Sequence, residues 1–411
     1  MTNLTRYLLL FLLIAQTGFP FFVGNTWLLI VFLFTAIVFI LKRKKWSKYV
    51  VRYLVAFILL MTMQIIFLGN FEVGPFVGIL IRIIYAFMAI KLIGPNFMKY
   101  YVKFLYVFAI IGLFFWIVLA FVPNMYALAS SFNSSFIEPI TLYFEQTRIN
   151  LIIYTNDYWL LDALPRNAGP FWEPGAFGAF LIVAILFNTI NEGTLINRKN
   201  IIFIIAMITT FSLGTYSVFL IFLFSYLFFI KKMKMSTLVT FVLIFLVANY
   251  SYNSFDFLGE KFEYRYVKSM NFSSDMTYAK LNYQVGRNEK AILDVRAFLA
   301  SPIVGEGQFV QYEFGNSASG ITAFLRKWGL LGFLLVFGSM YHSFKRYMLY
   351  TDINKKFVIV AVITLIAVAI PQSLYGKPIF LGFSFLFLIF SKKEMILKLK
   401  NHDIKNETPL S

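Results

Sequence analysis

The chain has 411 residues, of which 60% are hydrophobic, 20% aromatic and 14% charged. Its mean hydropathy is +0.75, which excludes an ordinary soluble globular protein. A net charge of +18 would suit nucleic acid, but most lysines and arginines stand in short clusters between apolar runs, where they act as topology signals, so nucleic-acid binding is a poor reading.

Apolar runs long enough to cross roughly 30 Å of hydrocarbon recur from end to end. The expectation is an all-α polytopic membrane protein, one membrane domain over residues 1–411 with about twelve transmembrane helices. Arg6 precedes the first run, 7–22, which lacks a small-residue cleavage site and is read as a span, not a signal peptide. Run 27–41 returns to Lys42-Arg43-Lys44-Lys45, which places the N-terminus and this loop in the cytoplasm. Spans at 49–68 and 76–90 flank a short outer turn, Lys91, Lys99 and Lys103 mark the next inner loop, and a fifth span covers 104–121.

Residues 122–168 break the pattern and form a first long outer loop, too long for a simple turn. A sixth span follows and ends near Ile190, before the inner Arg198 and Lys199. The apolar stretch 201–230 is interrupted by Ser212-Leu213-Gly214-Thr215 and is divided there into two spans; one long tilted helix is the alternative. A ninth span, 236–248, leads into the second long outer loop, 249–320. An amphipathic helix is expected there at 284–300, with Ile292, Val295 and Leu299 on one face and a Lys290–Asp294 pair on another. Spans at 321–340, 357–370 and 379–390 precede a lysine-rich cytoplasmic tail, 391–411. Parity puts both termini inside, and no internal repeat is visible.

With no cysteine, disulfides, thiolate zinc sites and thiol nucleophiles are excluded. His342 and His402 both fall in segments assigned to the cytoplasm, so histidine catalysis on the outer face is excluded by that topology. No metal or nucleotide motif stands in a supporting context, and no cofactor is expected.

Three groups of residues carry the chemistry that remains. In Arg166-Asn167-Ala168-Gly169-Pro170-Phe171-Trp172-Glu173-Pro174, an arginine suited to phosphate or carboxylate precedes a helix start, where freed N–H groups receive anions. Glu173 can accept a proton from a hydroxyl; alternatively it caps its own helix and pairs with Arg166. The second group is Gly286-Arg287 with Arg296 and Pro302-Ile303-Val304-Gly305-Glu306-Gly307. Arg166 and Arg287, from separate outer regions, would clamp a diphosphate, against the alternative of a helix that merely solvates its loop. The third is Asn316-Ser317 ahead of Arg326 and Lys327, cations just inside a span that either bind substrate or snorkel to headgroups. Arg52 and Arg82, inside the third and fourth spans, have the same two readings, with snorkelling favoured for Arg52 near the inner end.

These motifs, in this order between spans, resemble those of the Wzy-type polysaccharide polymerases, relatives of the O-antigen ligases. The resemblance rests on Arg166-Asn167-x-Gly169-x-Phe171-x-Glu173-Pro174, Ser212-x-Gly214, Gly286-Arg287 followed by Pro302-x-x-Gly305-x-Gly307, and Asn316 before a glycine-rich span. It covers the middle and C-terminal parts of the chain. It implies transfer of a glycan from undecaprenyl diphosphate to the sugar of another carrier-linked repeat unit, at the outer face of the bacterial cytoplasmic membrane. On that reading Arg166 and Arg287 take the diphosphate with Arg296 in support, Glu173 is the general base or orients Arg166, and Asn316, Ser317, Arg326 and Lys327 contact substrate. Membrane lipids, a chain-length regulator and a flippase are the expected partners. The histidine of the ligases is missing from Gly315-Asn316-Ser317-Ala318-Ser319, which favours a polymerase over a ligase. A lipid-linked oligosaccharide flippase is the other alternative, and it needs a central polar cavity.

Overall fold

In hydrocarbon a backbone has no water to bond and must satisfy its N–H and C=O groups within the chain, so apolar runs become helices. The computed structural model describes residues 2–69, 71–122, 124, 125, 128, 129, 131, 148–157, 165–234, 236, 287–307 and 320–390. The first half of the helical bundle comprises α1 (Asn3–Gly18), α2 (Asn25–Leu41), α3 (Lys48–Leu68), α4 (Val73–Ile93) and α5 (Phe97–Phe121). Next come α6 (Pro174–Glu192), α7 (Arg198–Ile208), α8 (Leu213–Phe229) and α9 (Arg287–Ala300). The C-terminal part holds α10 (Gly320–Thr351), α11 (Phe357–Val368) and α12 (Pro378–Gly382), which continues as a 3-10 helix over Phe383–Ile389.

Five of these helices, α3, α4, α5, α6 and α10, are long and apolar enough to cross a membrane, and the architecture is that of a multi-pass membrane protein. The apolar α2, α8 and α11 are shorter. The interruption expected near Ser212 is present: α7 ends at Ile208, and α8 begins at Leu213 with the Ser212 hydroxyl accepting from the Thr215 N–H at 3.4 Å. The two pieces are unequal. With 11 residues α7 rises only about 16 Å, roughly half the hydrocarbon thickness. The expected ninth span at 236–248 falls almost wholly outside the described residues.

The centre of the bundle is α6, whose residues 174–190 are all buried and which is packed by α5, α7, α8 and α11. Around it the outward residues are also apolar, as with Leu29, Ile30, Leu33 and Ile37 of α2 and Leu330, Leu331 and Leu334 of α10. Such a surface fits lipid, not water.

One element departs from the all-α expectation. Within the first long loop, β1 (Arg148–Asn150), β2 (Thr155–Asp157) and β3 (Arg166–Asn167) form a small antiparallel sheet in the order β1-β2-β3. Its register sets Asn156 opposite Asn167 and Asp157 opposite Arg166. Pro165 and Pro170 stand on either side of β3.

Candidate functional site

The stretch from Arg166 to Glu173 is held by its own polar side chains. Asn167 is fully buried; its amide nitrogen donates to the Thr209 hydroxyl at 2.9 Å, and its carbonyl oxygen accepts from the Gly169 N–H at 2.9 Å. The Asn167 backbone N–H also donates to the Thr209 carbonyl at 3.0 Å, and the Arg166 Nε–H donates to the Thr210 carbonyl at 3.3 Å. The α7–α8 break thus seats the motif, which explains why a Ser-Leu-Gly-Thr interruption accompanies it. Beside Asn167, the amide of Asn156 is fully buried with neither end hydrogen-bonded. Such a group is costly to bury and invites a hydroxyl or water partner.

Pro174 opens α6 at its first turn, where its missing N–H is no loss. Glu173 stands at the N-cap, but its carboxylate makes no capping bond. It accepts instead from the side-chain amide of Gln372, in the loop between α11 and α12. Capping, the alternative reading for Glu173, is therefore not the role its side chain takes.

The second assembly is built on a broken helix. At Gly329, α10 adopts φ +61° and ψ −169°, a conformation essentially confined to glycine. Residues 302–307 fill the gap: the Leu330 and Leu331 N–H groups donate to the Pro302 and Ile303 carbonyls at 2.8 and 3.1 Å. In return the Glu306 and Gly307 N–H groups donate to the Arg326 and Lys327 carbonyls at 2.7 and 3.1 Å. Gln64 of α3 seals the joint, its amide donating to the Val304 and Lys327 carbonyls at 2.6 and 2.8 Å. The Pro302-to-Gly307 motif is thus a plug for a helix break, with Gly305 (φ +74°) lying where a Cβ would come within 2.6 Å of the Arg326 carbonyl.

Charges gather at this joint. Arg326 donates to Glu306 at 2.6 Å and to Asp294 at 3.3 Å, and Asp294 also accepts from the Thr322 hydroxyl at 2.9 Å. Asp294 is buried on α9 and does not serve as a surface partner of Lys290. Correspondingly, α9 buries Leu293, Asp294 and Ala297, while the apolar face of Ile292, Val295 and Leu299 is exposed.

Lys327 lies within electrostatic reach of Asp294, Arg326 and Arg82, and Lys377 within reach of Arg82. Lys377, just before α12, holds its ammonium 5.9 Å from the centre of the Trp172 ring, next to Glu173. Burial, with Arg82 nearby, holds that ammonium below the usual lysine range. Arg82 of α4 thus lies within reach of both Lys327 of α10, which also has Asp294 beside it, and Lys377 of the α11–α12 loop, which meets Trp172 just before α6. Like charges in a partly buried cluster repel, and a multiply charged anion placed among them relieves the repulsion.

Of the residues singled out from sequence, Arg166, Glu173, Arg326 and Lys327 belong to this end of the bundle. Arg326 faces two carboxylates, and Lys327 lies within reach of one of them, Asp294, and of Arg82. Arg296 is exposed on α9, and position 287 starts that helix two turns before Asp294. The Arg287 side chain, Asn316 and Ser317 lie outside the described residues. Sequence reasoning missed Lys377, Gln372, Gln64 and Asn156. A lysine and a glutamine within a few residues after Pro371, at the mouth of an apolar run, were the available signal for the first two.

The fold and site define a multi-pass helical membrane protein with a cationic cluster at one end. No family model, curated protein or solved structure matches the chain.

Proposed function

We propose that the protein is a membrane glycosyltransferase, a polysaccharide polymerase that takes a glycan from a polyprenyl diphosphate and adds it to the sugar of a second lipid-linked unit. The observation that carries this reading is Arg82 within electrostatic reach of both Lys327 and Lys377, with Lys377 against Trp172, the neighbour of Glu173. A diphosphate leaving group is the anion such a cluster suits, and it needs no nucleotide to activate it. The acceptor hydroxyl oxygen attacks the anomeric carbon, the bond from that carbon to the phosphate oxygen breaks, and the diphosphate leaves with the electron pair. Lys327, Lys377 and Arg82, with Arg166 and Arg287 as partners from the two long loops, stabilise the charge that develops on it. Glu173, oriented by Gln372, takes the hydroxyl proton. The unpaired Asn156 amide offers a hydrogen bond to a sugar hydroxyl. This chemistry is assigned to the outer face of a bacterial cytoplasmic membrane, with both termini inside, because the basic clusters then share the cytoplasmic side.

The buried, apolar α6 at the centre of the bundle supports a polymerase over a flippase, which needs a polar path through that region. In cells carrying Arg166→Ala or Arg287→Ala, single repeat units should still reach the surface while long chains disappear. Loss of the surface-exposed single units as well would overturn the polymerase in favour of a flippase. Glu173→Gln should cut turnover with the protein still folded, and unchanged turnover would remove Glu173 from the mechanism.

A further inference from the structure

A second concentration of positive charge lies at the opposite end of the bundle. Arg52 is twelve residues before Gln64 on α3, about 18 Å along the helix axis. Here the α2–α3 loop, the start of α3, the end of α4, the middle of α10 and the 3-10 helix border an open cavity of about 1180 Å³. Arg43, Lys44, Lys45, Arg52, His342 and Arg346 line it, and no carboxylate is among its described lining residues. That volume is ample for a small-molecule site, since such sites run to roughly 1,000 Å³.

Topology signalling alone does not account for this arrangement. A positive-inside signal needs cations in a loop, in any conformation. Here they come from the α2–α3 loop, α3 and α10, and the loop is fixed. The Arg43 N–H donates to the Ile40 carbonyl at 2.8 Å and the Lys44 N–H to the Phe39 carbonyl at 3.2 Å, which closes the end of α2 with Arg43 at φ +48°. That position normally takes glycine. An arginine stands there at a conformational cost, on the rim of the cavity.

The walls are equally specific. His342 stacks on Tyr49 with ring centres 5.6 Å apart, Phe387 stands edge-on to both, and the Arg346 guanidinium lies 5.7 Å from the Phe387 ring. Lys91 anchors the 3-10 helix by donating to the Leu388 carbonyl. Trp46, tilted against Phe87 at 5.6 Å, closes another side. An aromatic shelf ringed by cations takes a ligand with both an anionic head and a flat or apolar body.

We propose that this cavity is a second anion-binding site, distinct from the cluster beside Glu173, and that it takes a phosphate-bearing ligand. The phosphate meets Arg43, Arg52 and Arg346, and the remainder of the ligand lies on Tyr49, His342 and Phe387. The phosphate belongs either to an anionic phospholipid of the surrounding leaflet or to a soluble phosphate compound, two sources with one recognition chemistry.

The test uses the full-length protein in phosphatidylcholine nanodiscs. In one arm phosphatidylglycerol is added to the disc; in the other, inorganic diphosphate is added to the solution. Acylation of Lys44 and Lys45 by an amine-reactive reagent is compared with that of Lys355 and Lys356, which are exposed and outside the cavity. Selective protection of Lys44 and Lys45 by phosphatidylglycerol identifies a lipid site, and by diphosphate a soluble-ligand site. Uniform protection of all four lysines, or none in either arm, overturns the proposal. Where binding is seen, Arg43→Gln/Arg52→Gln/Arg346→Gln should weaken it at least tenfold, equivalent to about 1.4 kcal/mol. The charge-matched Lys99→Gln/Lys355→Gln/Lys356→Gln should leave it unchanged, and an equal loss in this control would reduce the effect to general attraction. The footprint on the wild-type protein decides the matter even where the triple variant does not fold.

Discussion

Arg326→Met tests whether the arginine at the helix break is a brace or a ligand for substrate. Arg326 and Asp294 side chains are only 16% and 2% exposed, and their closest approach is 3.3 Å; Glu306, at 2.6 Å from the arginine, is 26% exposed. Removing one partner of a buried ion pair costs roughly 3–5 kcal/mol, because the other charge is left uncompensated. Glu306 retains some hydration, so the lower end, about 3 kcal/mol, is expected here. Adding Asp294→Asn removes the stranded charge while keeping an acceptor for the Thr322 hydroxyl. The double variant should recover about 2 kcal/mol of the loss, a coupling within the range for residues in contact. The assay is reversible unfolding by dodecyl sulfate titration, with polymerisation measured on the same preparations. A brace predicts that stability and turnover return together in the double variant. Return of stability without turnover would assign Arg326 to the substrate, and a single variant within about 0.5 kcal/mol of wild type would refute the brace altogether.

Gly305→Ala puts a Cβ 2.6 Å from the Arg326 carbonyl at a residue with φ +74°. The left-handed backbone costs about 1–2 kcal/mol and the disturbed bonds from Glu306 and Gly307 about 1 kcal/mol each, so a loss of roughly 3–4 kcal/mol is expected in the same titration. A neutral outcome would show that the plug is not tightly seated. Lys377→Arg addresses pH. Because the Lys377 ammonium is held below the ordinary lysine range, it gives up its proton as pH rises through that lowered value, and anion binding falls with it. Arginine stays charged, so the alkaline limb of the rate profile should move to higher pH in Lys377→Arg; an unmoved limb would separate Lys377 from the reaction. The same shift makes wild-type stability rise with pH between the lowered value and the ordinary one, since the unfolded chain holds the extra proton there.

Much of this arrangement is readable from sequence because its signals are local. Proline after Glu173 marks a helix start whatever surrounds it, and the Ser212-to-Thr215 interruption breaks an apolar run visibly. What escapes depends on partners distant in the chain. Gly329 sits in an apolar run that reads as continuous helix, and nothing near it reveals that residues 302–307 will bond into the gap. The face of α9 misleads for a related reason. Its periodicity is plain, but Asp294 turns inward to meet Arg326, a partner distant in the chain. The small sheet escapes because two- and three-residue strands are too short to show alternation.

The helix break is what joins the separate motifs into one site. In a continuous α10, the Leu330 and Leu331 N–H groups would bond the Arg326 and Lys327 carbonyls. The inserted loop replaces those two bonds with four, so none of these backbone groups is left wanting in a region where an unpaired one is expensive. The exchange also fixes α9 to α10, since the loop that fills the break follows directly on the C-terminal end of α9. Neither helix can shift without opening bonds in the other, and Asp294 with Arg326 adds a second tie. The start of α9 at position 287 and the cation at Lys327 are therefore held in a set relation before any ligand arrives. A site that must stabilise charge on a departing diphosphate gains most from that kind of fixed arrangement, because no reorganisation is then needed as the charge develops.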